Sequence, residues 1–248
     1  MPFASSLPAL DSTAFFFDFD GTLCALAPTP DGVQVAPRVP VLLEALRARS
    51  NQALAIVTGR PIDDIDRFLA PLRLPIAGSH GAERRGLDGE TVRVGFGDPR
   101  LLDMRRLLED VVAAHPGLLL EVKGAGLAVH YRAAPRHAAV AEDAARQAVA
   151  LHGDAFVLQP GKMVFEIKPQ GVDKGRAIRH FMTGAPFAGR TPLFAGDDLT
   201  DEKGFAVVNE LGGLSVKIGE GDTLATLRLP SVDAFVDWLA QVVDAAAA

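Results

Sequence analysis

The stretch FFFDFDGTL, from Phe15 to Leu23, constrains this chain more than any other. Three consecutive phenylalanines leave no face of a strand for water, so the run belongs to a strand covered on both sides, as in the middle of a parallel sheet. Asp18 and Asp20 follow at its end, and Gly21 closes the run. Ligands of open parallel sheets bind outside the carboxyl ends of the strands. The two carboxylates therefore stand where chemistry is carried out, and their spacing of two points them to the same side of an extended backbone.

The same pattern recurs. A helix is expected from about Pro37, where Val41, Leu42, Ala45 and Leu46 keep helical spacing. The run ALAIVTGRP then gives a strand to Val57, a polar loop Thr58-Gly59-Arg60, and Pro61 at the first turn of a helix. Beyond residue 172, GVDKGRAIRHFM reads as a helix opened by Asp173, TPLFAGDDLTDEKGF as strand, acidic loop and helix, and GGLSVKIGEG as a further strand. SVDAFVDWLAQV is a closing helix with Ser231 as its cap. Successive strand-loop-helix units indicate an α/β fold with a Rossmann-like parallel sheet.

The middle section has a different pattern. Helix, strand pair, helix, strand pair follow one another, with tight turns at KGAG and QPGK. Strands joined by short turns are antiparallel hairpins. The expectation is a core of residues 1–97 and 172–248 with an inserted α+β domain at 98–171. The terminal alanines are expected to fray.

Charge and cysteine content narrow the function. A net charge of -6 argues against a sequence-independent grip on nucleic acid, which needs a basic face. No run approaches the ~20 apolar residues of a membrane helix, and the first residues lack the basic-then-apolar order of a secretory signal. The single cysteine, Cys24, excludes an internal disulfide and fits a reducing compartment. A cytoplasmic monomer acting on a small molecule is the expectation. GAGLAV offers only part of a dinucleotide fingerprint and reads as a hairpin turn; no GxxxxGK[ST] loop is present.

The strand ends deliver Asp18, Asp20, Thr58, Asp197 and Asp198 to one edge of the sheet, with Lys174 at a helix entry. Each alone could be a cap or turn residue, but together they form a site. Converging carboxylates repel unless a cation sits among them, and oxygen donors suit a hard divalent ion, Mg2+ above all. The lysine adds positive charge, and the threonine hydroxyl and loop amides donate hydrogen bonds, a combination that binds a phosphoryl group. Asp18 is the candidate nucleophile, and Asp20, in its protonated form, the candidate acid-base.

At these residues the sequence resembles the haloacid dehalogenase-like phosphatases. DFDGT matches the first motif of that superfamily, TGR the second, the lysine of DKG the third, and GDD with the following TDE the fourth. The resemblance implies that Asp18 attacks phosphorus, that Asp20 protonates the leaving alkoxide and then activates water, and that Thr58 and Lys174 hold the phosphoryl oxygens. It also implies Mg2+ held by Asp18, Asp197 and the backbone carbonyl of Asp20, with Asp198 close behind, and an inserted domain that is a C2-type cap, closing on hinges near Gly95-Phe96-Gly97 and Pro169-Gln170-Gly171.

GSHGAE, EVKGAGLAVHYR, GKMVFEIKPQGVDKG and GDDLTDEKGF narrow the resemblance to trehalose-6-phosphate phosphatases. Glu121, Lys123 and Glu166 match the cap positions that contact the disaccharide in that family. Gly59 and Arg60 belong to the expected substrate contacts, although Arg60 could equally form a structural ion pair. His80, His130 and Arg132 are assigned no catalytic role. The alternatives are a phosphatase for another sugar phosphate, such as sucrose 6-phosphate, or a catalytically silent sugar-phosphate sensor.

Overall fold

The computed structural model describes residues 8–27, 29–161 and 163–245. The first seven residues and the alanines at 246–248, on which two of the sequence expectations fell, lie outside them. The chain divides into two compact units, one of residues 1–92 with 173–248 and one of residues 93–172.

The first unit opens with β1 (Thr13–Phe17), α1 (Arg38–Arg49), β2 (Leu54–Val57), α2 (Ile62–Phe68), β3 (Ile76–Gly78) and β4 (Glu83–Arg85), and the chain leaves it within β5 (Thr91–Arg93). The second unit contains α3 (Arg100–Ala114), β6 (Leu119–Lys123), β7 (Gly126–His130), α4 (Ala138–Ala150), β8 (Phe156–Gly161) and β9 (Val164–Pro169). The chain returns with α5 (Lys174–Met182), β10 (Thr191–Gly196), α6 (Glu202–Glu210), β11 (Leu214–Ile218), β12 (Leu227–Leu229) and α7 (Val232–Ala245).

The first sheet has eight strands in the order β12-β11-β10-β1-β2-β3-β4-β5. Pairing from β12 to β3 is parallel, and β3 with β4 is antiparallel. The strand order reverses at β1: β2 lies on one side and β10, from the far end of the chain, on the other. Phe15 and Phe17 join one apolar layer with Val39, Leu43 and Leu46 of α1 and Phe235, Trp238 and Leu239 of α7. Phe16 joins the opposite layer with Ile178 and Phe181 of α5 and Phe205 and Val208 of α6. All three phenylalanines are fully buried, each worth ~1.5–3 kcal/mol of transfer free energy. Strands β3, β4, β5 and β12 are not foreseen in the sequence; each has three residues, too few for an alternation to register.

Helix starts follow their caps. The Asp173 carboxylate accepts from Arg176 N at 2.8 Å and opens α5, and Ser231 Oγ accepts from Ala234 N at 3.2 Å and opens α7.

The second unit is a four-stranded antiparallel sheet, β6-β7-β9-β8, with Leu127, Val129, Phe165 and Ile167 packed on Met104 and Leu108 of α3 and Ala141, Ala145 and Ala148 of α4. Its boundary at Arg93 precedes the expected 98. Residues 93–97 pack with the second unit: Arg93 lies over the Phe96 ring at 5.5 Å, and a Cβ on Gly95 would fall 2.5 Å from Pro169 Cγ. The expected QPGK turn is also displaced, because Gln159, Pro160 and Gly161 remain in β8, opposite Glu166, Phe165 and Val164.

Candidate active site

The site forms at the carboxyl ends of β1, β2 and β10. Asp18 N donates to Ala195 O at 2.9 Å and Thr58 N to Ala77 O at 2.9 Å, so the sheet ladder continues one residue past each strand and fixes both side chains. Gly21 brings the loop after β1 against the loop after β10. It holds φ +74, and a Cβ there would lie 2.1 Å from Asp197 Oδ2.

Oxygens of Asp18, Asp197 and Asp201 lie within 4.8 Å of one another. Lys174 Nζ donates to Asp18 Oδ1 at 2.7 Å and to Asp201 Oδ1 at 2.6 Å, and Lys174, Asp18 and Asp201 are all buried. Burial drives the Asp18 carboxyl well above the usual range, Asp201 and Asp197 add to the rise, and Lys174 opposes it. Burial likewise pushes Asp197 up to about 7, with help from Asp201 and Asp198. Burial alone would lower Lys174, yet the charges of Asp18 and Asp201 hold it above its ordinary value. Lys174, with Lys217 also opposing the rise at Asp197, leaves Asp197 and Asp18 raised. An oxygen-only donor set with unmet demand for positive charge fits a hard divalent cation.

The sequence reading places Asp198 close behind the cluster and gives Asp201 no role. In the structure it is Asp201 that enters. Its Oδ1 takes the lysine bond, and its Oδ2 accepts from the backbone N of both Asp197 and Asp198 at 3.0 Å. Asp198 Oδ1 instead accepts from Leu199 N at 2.8 Å and caps the short turn Leu199–Asp201. The signal for Asp201 was the acid three residues after a capping Asp, the spacing of a reciprocal capping pair. Lys217, also unforeseen, is buried behind the same loop and donates to the carbonyl oxygens of Asp197 at 2.5 Å and Ile218 at 2.7 Å.

Asp20, expected as the acid-base, accepts a fork from Arg60: Nε to Oδ2 at 2.6 Å and Nη2 to Oδ1 at 2.8 Å. The guanidinium lies beside the stacked pair of Phe19 and Phe68, at 5.9 and 5.0 Å from their ring centroids. Arg60 N also donates to Thr58 Oγ1 at 3.2 Å, which leaves the threonine hydroxyl proton for a ligand.

The GSHGAE segment braces this loop. Ser79 and His80 hold positive φ of 49 and 56, which places Ser79 N 2.8 Å from Arg60 O and His80 N 2.8 Å from Thr58 O. The His80 ring lies against Gly59, where a Cβ would come within 2.8 Å of it. Cys24 is buried, and its thiol is pushed up to about 12, first by burial and then by Asp20, far from a reactive thiolate.

Glu121, Lys123 and Glu166 lie in the second unit. Glu121 is opposite Ala128, and Ala128 is opposite Glu166, so all three positions share the sheet face opposite the helices. Lys123 pairs with Glu166, and His130 with Glu121.

A parallel sheet with an acidic cluster at its strand-order reversal and a buried lysine from the next helix defines a haloacid dehalogenase-like phosphatase. The family model described as trehalose-phosphatase matches residues 16–232, and the chain belongs to that family. It is 48% identical over 235 residues to trehalose-6-phosphate phosphatase of Escherichia coli strain K12, covering 94% of this chain and 87% of that protein. A probable trehalose-phosphate phosphatase of Sinorhizobium fredii is 45% identical over 213 residues, covering 85% and 79%. The fold matches the C-terminal domain of the C. albicans trehalose-6-phosphate phosphatase with a TM-score of 0.83 at 22% identity, over 94% and 92% of the two chains.

Proposed function

We propose that this protein hydrolyses trehalose 6-phosphate to trehalose and orthophosphate, with Mg2+ bound and the phosphoryl group carried transiently on Asp18. The observation that supports the chemistry most is the Asp18-Asp197-Asp201 cluster, in which one lysine, Lys174, is hydrogen-bonded to the carboxylates of Asp18 and Asp201. Asp18, Asp197 and the carbonyl of Asp20 would hold the cation, which when bound supplies the charge needed beside a phosphoryl group carrying about two negative charges.

In this reading the Asp18 carboxylate attacks phosphorus, the bond to the sugar oxygen breaks, and Asp20 delivers a proton to that oxygen. Water then attacks the acyl phosphate while Asp20 takes its proton, and Asp18 is regenerated as orthophosphate leaves. Lys174 and Thr58 hold the phosphoryl oxygens. Lys174, fixed between Asp18 and Asp201, is a preset charge that needs no rearrangement during the reaction. In this reading the fork from Arg60 orients the Asp20 carboxyl. Glu121, Lys123 and Glu166 receive the sugar hydroxyls, because charged hydrogen bonds discriminate strongly against analogues that leave them unpaired. The protein acts as a cytosolic monomer, which gel filtration and cell fractionation test.

The experiment is phosphate release with Mg2+ from trehalose 6-phosphate, sucrose 6-phosphate, glucose 6-phosphate and an aryl phosphate, with Asp18→Asn alongside. Preference for trehalose 6-phosphate, lost in the variant, supports the reading. Activity on the other esters alone discards the substrate, and tight binding without release indicates a sensor.

A further inference from the structure

The polar face of the second unit's sheet contains a pair that the reading above does not use. On β6 and β7, Leu119 stands opposite His130 and Glu121 opposite Ala128. Glu121 and His130 are therefore diagonal neighbours on one face, and the methyl of Ala128 leaves room for the two side chains to meet. His130 Nε2 lies 2.7 Å from Glu121 Oε2. Both side chains keep partial exposure, 31% and 42%, so the pair faces outward from the sheet.

We infer that His130 is a positioning residue for Glu121: its Nε2–H fixes the carboxylate and leaves Oε1 free to accept from a sugar hydroxyl. A carboxylate has about four lone-pair directions, and the imidazole occupies one on Oε2. The hydrogen bond from His130 is also the largest influence holding the Glu121 carboxyl below its usual range, so the acceptor stays ionised. Glu166, on the other side of Ala128, pairs with Lys123 of β6 across the intervening strand β7. The two carboxylates thus flank a small-residue floor, each held by a cationic or hydrogen-donating neighbour. The inference rests on the trehalose 6-phosphate reading, from which the sugar ligand comes.

The test is steady-state kinetics of His130→Leu, His130→Gln, Glu121→Gln and the double variant Glu121→Gln/His130→Leu, on trehalose 6-phosphate and on an aryl phosphate. His130→Leu is expected to raise KM for trehalose 6-phosphate about tenfold, the scale of a hydrogen bond to a charged group, with a much smaller change in kcat and in aryl phosphate hydrolysis. The amide donor of His130→Gln should recover most of the loss, and adding His130→Leu to Glu121→Gln should cost little more. An unchanged KM in His130→Leu, equal losses on both substrates, or fully additive losses in the double variant would overturn the inference. A wild type that prefers another ester overturns the substrate reading instead, and that result shows before any variant is made.

Discussion

Arg60 grips Asp20 through two parallel hydrogen bonds, 2.6 and 2.8 Å, with its guanidinium beside the stacked rings of Phe19 and Phe68. The residue after TG is thus tied to the candidate acid-base across a sequence separation of 40. An ammonium cannot reproduce that planar fork. Arg60→Lys is expected to lower kcat on trehalose 6-phosphate by about tenfold or more, since forked charge-assisted bonds add orientation as well as energy, while the melting temperature shifts little. A kcat equal to wild type would show that the fork does not position Asp20.

Lys174 is the sole cation bonded to both Asp18 and Asp201 among the described residues. Removing one partner of a buried ion pair costs about 3–5 kcal/mol, because the other charge stays behind. Lys174→Met should abolish turnover and lower stability on that scale in denaturant titration. Mg2+ should restore part of the stability, since a cation can answer the carboxylates, but none of the activity.

The carboxyl of Asp197, pushed up to about 7, makes metal binding dependent on pH. Its unfolded value is about 3.9, so the metal-free folded state favours the protonated form. Stability from this group is complete below about pH 4 and is lost as pH rises through about 7. Asp18 shifts in the same direction. A cation replaces these protons, so the gap in Tm between Mg2+-loaded and EDTA-treated protein should be small near pH 5, widen to about pH 7 and level off above about pH 8. A gap that narrows with rising pH would contradict the assignment of the cluster as a cation site.

The strand ends were legible because a parallel sheet orders them: Asp18, Thr58 and Asp197 each follow a buried apolar run. Lys174 was legible because a capping Asp173 precedes it. Asp201 was obscured, since an acid in the first turn of a helix ordinarily serves the helix dipole, and only the return of the loop over Lys174 reveals its other bond. Lys217 was hidden in a strand whose periodicity gives no reason for a buried lysine. The partner of Arg60 depended on a loop-to-loop contact that no spacing rule supplies.

Gly21 tests how tightly the loops after β1 and β10 must approach. Alanine there would need φ +74 and would place its Cβ 2.1 Å from Asp197 Oδ2. The backbone term alone is about 1–2 kcal/mol, and the clash must also displace Asp197. Gly21→Ala should therefore weaken Mg2+ binding, measured by titration calorimetry, more than it lowers Tm in EDTA. The reverse order would make Gly21 a matter of folding alone.

Asp198 and Asp201 are three residues apart, and their surroundings assign them different duties. Asp201 is fully buried and takes hydrogen bonds from Lys174 and from two backbone amides. An amide in its place would keep the size but turn one oxygen into a donor facing donors. Leaving such buried groups unsatisfied costs about 1–3 kcal/mol, more where a charge is involved. Asp198 caps a turn, and asparagine caps about as well as aspartate. Asp201→Asn is therefore expected to reduce kcat/KM by a hundredfold or more and to lower Tm, whereas Asp198→Asn should retain activity within about tenfold, given the few tenths to 1 kcal/mol that a charge contributes at a helix start. If Asp198→Asn proves the more damaging of the two, the carboxylate that completes the cation site is Asp198, and Asp201 serves only to hold the loop and Lys174 in place.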